Sequence, residues 1–260
     1  MNLLAVEGVT LTFHAVAALM DVSFTVPEGR IVSLIGPNGA GKTSMLNCVS
    51  GRYRPDKGSI TLDGRELLGV PAHKRTSLGL SRTFQNIALF KGLSVLDNLM
   101  LGRHSRMEYG LLASLFYLGK ARRQEDAHRR RVEDVIDFLN LSPYRHQAAG
   151  RLPYGVQKRV ELGRALAAEP RLILLDEPMA GMNLEETEDM ARYILDINEE
   201  WGATVLLVEH DMGVVMDVSH KVVVLDFGRV LAEGTPAEVS ADPAVVAAYL
   251  GSEDAVFLGR

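Results

Sequence analysis

Short apolar runs that break off at polar or glycine-rich residues, each followed by a helical pattern, organise most of this chain. Ile31 to Ile35 leads into a glycine-rich loop, Leu172 to Leu175 stops at Asp176-Glu177, and Thr204 to Val208 stops at Glu209-His210. Runs so short and so uniformly apolar read as strands covered on both faces. Their alternation with helices predicts an α/β fold with a mixed, largely parallel sheet. Ligands of such sheets bind beyond the carboxyl ends of the strands, where these polar groups all sit. Leu3 to Val26 and Ser59 to Leu62, broken by Pro27-Glu28-Gly29 and Asp63-Gly64, predict an antiparallel β layer. From about Ser94 to Leu166 the pattern is mostly helical and reads as an inserted helical subdomain. Helix starts are marked by Asn183 with Glu186, by Thr235-Pro236 with Glu238, and by Asp242-Pro243. The expected organisation is one domain over 1–260, with a core of 1–90 and 167–235, a helical subdomain of 91–166 and a C-terminal helical tail of 236–260. No internal repeat or low-complexity linker interrupts it.

The chemistry begins at Gly36-Pro37-Asn38-Gly39-Ala40-Gly41-Lys42-Thr43, which matches G-x-x-x-x-G-K-[ST]. Glycines let a backbone wrap a phosphate with its N–H groups inward, and the following helix adds the positive end of its dipole. Lys42 is expected on the β- and γ-phosphates and Thr43 on Mg²⁺, with Ser44 joining the nucleotide-binding set. The preceding strand supplies the context that separates this loop from an ordinary glycine turn. Asp176 then fits the Mg²⁺-side carboxylate of a P-loop ATPase, and Glu177 is placed to act as general base on the attacking water. His210 ends the next strand, and Gln85 follows a short strand read over Ser81 to Phe84. A lone histidine or glutamine is more often structural, but a shared position at strand ends draws both toward the γ-phosphate.

Composition narrows the setting. Of 260 residues, 47% are hydrophobic and 23% charged, the balance of a globular protein. The formal net charge of −5 argues against a dedicated nucleic-acid binder. Cys48 is the only cysteine, which excludes an intrachain disulfide and suggests a reducing, cytoplasmic setting. Met1 to Glu7 lacks the basic head and apolar stretch of a secretory leader, and no apolar run approaches the length of a membrane span. If the protein works at a membrane, another chain is expected to cross it.

These pieces, in this order, resemble the ATPases of ABC transporters over nearly the whole chain. The family's signature, usually L-S-G-G-Q, falls here on Leu152-Pro153-Tyr154-Gly155-Val156-Gln157. The resemblance implies that Phe13 stacks on adenine, that Gln85 is the Q-loop residue beside Thr43 and Asp176 at Mg²⁺, and that His210 is the switch histidine. Met179 to Asn183 becomes the D-loop. It further implies that two ATPase domains pair head to tail, each ATP lying between one chain's phosphate loop and the other's signature. Here Pro153, Tyr154 and Val156 replace the usual serine, glycine and glutamine, and Asn183 the usual aspartate. Proline offers no hydroxyl, so a serine contact to the γ-phosphate is absent. Proline suits a first helical position, which leaves the N–H groups of Tyr154 and Gly155 for an anion.

The forms around Pro153-Tyr154-Gly155, Asp176 to Asn183 and Val208 to Met212 look like the branch that imports branched-chain amino acids, or related small organic acids and amides. The expectation is therefore an ATP- and Mg²⁺-dependent ATPase, peripheral on the cytoplasmic face of the plasma (inner) membrane. Its expected partners are permease subunits, a second ATPase subunit of the same or a related chain and, indirectly, a substrate-binding protein. The rival reading is a soluble ABC-type ATPase that acts as a mechanical switch on nucleic acid or ribosomes. One cassette, one cysteine and the absence of sustained heptads count against it. The remaining features are mostly bland. Cys48, Met179 and Met182 read as packing, and the remaining histidines lack metal-ligand spacing. The basic cluster from Lys120 to Arg131 reads as a solvated helix face. The apolar stretch from Gly110 to Gly119 is either core or a surface for a membrane partner.

Overall fold

The computed structural model describes residues 1–106 and 120–250; the stretch from Gly110 to Gly119 lies outside them. Strands Ile31–Ile35 (β3), Leu172–Asp176 (β7) and Thr204–Val208 (β8) are buried at every position. With Leu80–Arg82 (β6), Lys221–Asp226 (β9) and Arg229–Gly234 (β10) they form a six-stranded sheet in the order β10-β9-β3-β8-β7-β6. All neighbours in it are parallel except β10 and β9, which form an antiparallel hairpin at one edge. The unbroken apolar runs have a direct cause. Leu172 and Leu174 of β7 face one hydrophobic cluster, while Ile173 and Leu175 between them face another. β8 does the same, with Leu206 and Val208 on one side and Val205 and Leu207 on the other. A strand covered on both faces has no use for polar alternation.

The first cluster lies under the second sheet. Asn2–Phe13 (β1), Val16–Pro27 (β2), Lys57–Leu62 (β4) and Arg65–Glu66 (β5) pair antiparallel in the order β2-β1-β4-β5. Helix Lys42–Ser50 (α1) is sandwiched between the two sheets through Met45, Leu46, Cys48 and Val49. The other face of the parallel sheet is covered by Val95–Gly102 (α3), Lys120–Phe138 (α4), Tyr154–Ala167 (α5) and Leu184–Glu199 (α6). Ala72–Arg75 (α2) is a single turn before β6. On α4, Val132, Val135 and Ile136 are buried while Arg129 to Arg131 face solvent, so this part of the basic cluster is a solvated face. Met212–Val218 (α7), Pro236–Ala241 (α8) and Pro243–Leu250 (α9) pack Val215, Val239 and Val245 against Val222 and Val224 of β9.

The helix starts form as their caps dictate. Asn183 and Glu186 make a reciprocal capping box at 3.0 and 3.1 Å, and Thr235 and Glu238 make another at 3.3 and 2.7 Å. Two local expectations shift. The strand expected over Ser81 to Phe84 runs instead over Leu80–Arg82, although the Thr83 amide still donates to Leu174 O at 2.9 Å. Pro153 is the N-cap of α5 and not its first helical residue. Its φ of −52° suits a helix, but its ψ of 153° is extended, and its carbonyl accepts the first helical bond, from Gln157 N at 3.0 Å.

Candidate active site

Parallel register brings the chemistry to one edge. Leu34 pairs with Val208 and Val208 with Asp176, so the loop after β3, the end of β7 and the residues after β8 share one level. The phosphate loop turns directly from β3 into α1. Gly41 is required there: its φ is 105°, and a Cβ would lie 2.6 Å from Ala18 O and 3.0 Å from Leu19 Cδ2. Lys42 is 8% exposed, and its ammonium is folded into the loop, donating to Gly36 O at 2.5 Å and Pro37 O at 3.1 Å. Ala40 is buried and hydrogen-bonds Pro37 within the loop, while Pro37, Asn38, Gly39, Thr43 and Ser44 remain at least partly accessible.

Thr43, Gln85 and Asp176 line one cleft of about 410 Å³, together with Asn47 and Arg82. Asp176 is 2% exposed. Its Oδ2 accepts from Arg82 Nη2 at 2.8 Å, and its Oδ1 is buried without a hydrogen-bond partner. A divalent cation on a nucleotide takes one or two protein oxygens and completes its shell with phosphate and water. An uncommitted carboxylate oxygen and a threonine hydroxyl in one polar cleft fit that demand. Among the described residues, no three His, Cys, Asp or Glu side chains converge as a protein-only metal site.

Glu177 follows in a left-handed conformation, φ 48°, rare for a non-glycine residue and costly by about 1–2 kcal/mol. The turn is pinned by its own amide, which donates to Val208 O at 2.9 Å. It brings the carboxylate to Gln85, whose Nε2 donates to Glu177 Oε2 at 2.7 Å. His210, with its side chain 56% exposed, stands at the end of β8 beside Glu209. Phe13 is half-exposed at the end of β1, its ring meeting Tyr53 edge-on at 5.1 Å. Tyr53 follows α1 and donates to Asn47 O, so the aromatic pair stands beside the helix that carries the phosphate loop.

Tyr154 and Gly155 sit against the loop after β7 and the start of α6. The Tyr154 hydroxyl donates to Ala180 O at 3.0 Å, and a Cβ on Gly155 would meet Glu186 Oε1 at 2.3 Å. As the first residues of α5 after the Pro153 cap, they carry amides with no carbonyl one turn back to bond.

Sequence reasoning missed the buried charges that hold these groups. Lys158 is 3% exposed and donates to Gln85 O at 3.0 Å and Glu177 O at 3.5 Å. Burial pulls its pKa down, against the opposing pull of Glu161, Glu209, Glu177 and Asp176. One turn on, Glu161 accepts from the amides of Phe84 and Ala88 at 3.4 and 3.3 Å, and burial raises its carboxyl. Glu209, 1% exposed, accepts from the Met179 and His210 amides at 3.0 and 3.1 Å, and burial raises it too. Glu209 follows an apolar run and Lys158 and Glu161 lie in a mixed helical stretch, and in both settings an exposed residue looks the same.

A buried strand, a glycine loop and a helix carrying Lys42 and Thr43, set beside a strand that ends in two carboxylates, define a P-loop nucleotide hydrolase of α/β architecture. The chain belongs to the ABC transporter family, whose model matches residues 19–180, more than half of the sequence. It is a transport ATPase of the cassette type. A model described as branched-chain amino acid ATP-binding cassette transporter matches residues 229–255. The chain is similar to the high-affinity branched-chain amino acid transport ATP-binding protein BraF of Pseudomonas aeruginosa, at 42% identity covering 96% of this chain and 98% of that one. It is similar at 36% to LivG of Escherichia coli, with the same coverage. A nucleotide-free ATP-binding cassette from an ABC transporter superposes with a TM-score of 0.84 at 31% identity, over 97% of this chain and all of that one. A cassette solved as a dimer in a post-hydrolysis state, with ADP and Pi bound, gives a TM-score of 0.76 at 26% identity, over 90% and 98%.

Proposed function

We propose that this chain hydrolyses ATP at the cytoplasmic face of the plasma (inner) membrane to drive import of branched-chain amino acids, or related small organic acids and amides. A separate permease carries the substrate, and an external binding protein delivers it. The observation that carries the catalytic part is the Gln85–Glu177 hydrogen bond of 2.7 Å beside Asp176 and the phosphate loop. The substrate class rests on similarity to BraF and LivG along the full chain and on the C-terminal match at 229–255. Among the described residues, no helix is long and apolar enough to cross a membrane.

In this reading Phe13 stacks on adenine, and amides of Gly36 to Ser44 cradle the phosphates. Lys42 leaves its own loop carbonyls to meet the β- and γ-oxygens. Thr43, Asp176 Oδ1 and Gln85 would hold Mg²⁺, which would supply charge neutralisation to the phosphates. Glu177 accepts a proton from water as the water oxygen bonds to the γ-phosphorus. The bond from that phosphorus to the bridging oxygen breaks, and ADP and phosphate leave. His210 reaches the γ-phosphate from the end of β8. The amides of Tyr154 and Gly155 face the nucleotide of a second ATPase subunit, the same or a related chain, which closes the site. The test is reconstitution of the ATPase with its co-purified permease in vesicles. Turnover should rise when a leucine-loaded binding protein is supplied, and should not respond to DNA or ribosomes. Stimulation by nucleic acid and none by loaded binding protein would overturn the import reading.

A further inference from the structure

Arg82 is a buried cation that the reaction above does not use. It ends β6, where it pairs in register with Leu174, two residues short of Asp176 on β7. Its guanidinium is split between three acceptors. Nη2 donates to Asp176 Oδ2 at 2.8 Å, and Nη1 donates to Asn47 Oδ1 and Ser50 Oγ, both at 2.8 Å. Both side chains of the ion pair are nearly dry, at 7% and 3% exposure. On its outer side the guanidinium lies 5.3 Å from the ring centre of Phe84, which also lines the cleft.

The fork fixes the guanidinium plane from α1, two bonds from one end, before the carboxylate meets it. A planar donor held in this way can bind only in one orientation, which a lysine ammonium cannot reproduce. It also claims one carboxylate oxygen and leaves the other. Asp176 Oδ1 is buried and has no hydrogen-bond partner. A buried carboxylate oxygen left unsatisfied is costly unless something else binds it. Thr43 and Gln85, the other oxygen donors expected at a nucleotide's cation, line the same cleft.

We propose that Arg82 is a positioning residue for Asp176: it takes Oδ2 and so presents Oδ1 to the divalent cation of the bound nucleotide. This rests on the reading of Asp176 as a Mg²⁺-side ligand. Removing Arg82 leaves Oδ2 without its partner and frees the carboxylate to swing away from the cleft. That weakens the hold on the cation and spares the nucleotide's own contacts.

The experiment titrates Mn²⁺, as a paramagnetic substitute for Mg²⁺, into the full chain with ADP bound, and reads bound metal by electron paramagnetic resonance. ADP affinity is measured separately in EDTA. In Arg82→Met the Mn²⁺ concentration for half-saturation should rise at least about tenfold, while ADP affinity in EDTA stays within about threefold of wild type. Arg82→Lys should recover part of the metal affinity. Asn47→Ala, which frees one arm of the fork and keeps the ion pair, should shift Mn²⁺ less than Arg82→Met. Wild-type or tighter Mn²⁺ binding in a folded Arg82 variant would overturn the proposal. Arg82 would then be a cross-link between α1 and the sheet, or a cation that competes with the metal. If neither Arg82 variant folds, Asn47→Ala decides, with unchanged Mn²⁺ binding counting against the proposal. A wild-type chain that binds ADP but no Mn²⁺ would instead remove the reading of Asp176 on which it rests.

Discussion

Gln85 Nε2 donates to Glu177 Oε2 at 2.7 Å, joining a residue that follows the edge strand β6 to one that follows its neighbour β7. The bond commits one carboxylate oxygen and leaves the other for water. It also explains why Glu177 tolerates a left-handed backbone: the turn at φ 48° is what carries its side chain toward Gln85. Glu177→Gln keeps this shape and removes the base. We expect ATP still to bind, turnover to fall by roughly 10² or more, and an ATP-bound dimer to accumulate in gel filtration. Near-normal turnover would move the base elsewhere, with His210 next in line.

Lys42 spends its ammonium on the carbonyls of Gly36 and Pro37, at 2.5 and 3.1 Å. A nucleotide offers charged oxygens in their place, and charge-assisted bonds are the stronger kind. Lys42→Ala should therefore weaken ATP by roughly 1.5–3 kcal/mol for each such bond lost. Calorimetric titration checks this. Wild-type affinity in the variant would refute the phosphate-loop assignment.

Phe13 is 40% exposed and meets Tyr53 edge-on, so it is not packed as a strand core residue. Phe13→Ala should cost roughly 1–3 kcal/mol of nucleotide affinity, by analogy with base–aromatic stacking. Phe13→Tyr and Phe13→Trp should be tolerated. A lowered melting temperature with unchanged ATP affinity would make Phe13 a packing residue.

Cys48 lies fully buried on α1, and burial outweighs the attraction of Arg75 to push its thiol up to about 11. At pH 8 the thiolate then amounts to roughly one part in a thousand, and access to it is blocked. Iodoacetamide should leave the folded chain unlabelled for hours and label it within minutes in guanidinium. Rapid labelling without denaturant would place Cys48 at an accessible surface.

How much of this was legible follows from what each feature looks like locally. The phosphate loop, the carboxylates after Leu175 and the end of β8 all stand where an apolar run stops, so strand ends advertise them. The caps at Asn183 and Thr235 are short-range and formed as read. The supporting charges could not be read. Lys158 and Glu161, three apart on α5, have the spacing of a solvated helical pair, yet only tertiary packing reveals that they are 3% and 2% exposed. Arg82 looked like an ordinary strand residue because its partners lie 32, 35 and 94 positions away. Proline at 153 misled by one position, since a proline φ serves a cap as well as a first helical turn, and only ψ separates the two.

That shift sharpens the test of the unusual signature. With Pro153 as N-cap, Pro153→Ser supplies a hydroxyl where serine is among the best caps, and it would bond the amide of Gly155 or Val156. It stabilises the helix start but draws one amide away from an anion, so we expect turnover close to wild type. Gly155→Asp is a different matter. Its Cβ would lie 2.3 Å from Glu186 Oε1, so Glu186 must swing out of its cap on Asn183, and two carboxylates then crowd the helix start. The added charge repels a phosphate at the same place. Because Tyr154 and Gly155 stand against the loop after β7 and not beside Lys42, the damage should spare ATP binding by the isolated chain while abolishing hydrolysis. Gly155→Ala carries the crowding without the charge and should be intermediate. ATP affinity, turnover and melting temperature for all three variants decide the matter. If Gly155→Asp hydrolyses ATP normally, the start of α5 is an ordinary helix end and takes no part in closing a nucleotide site.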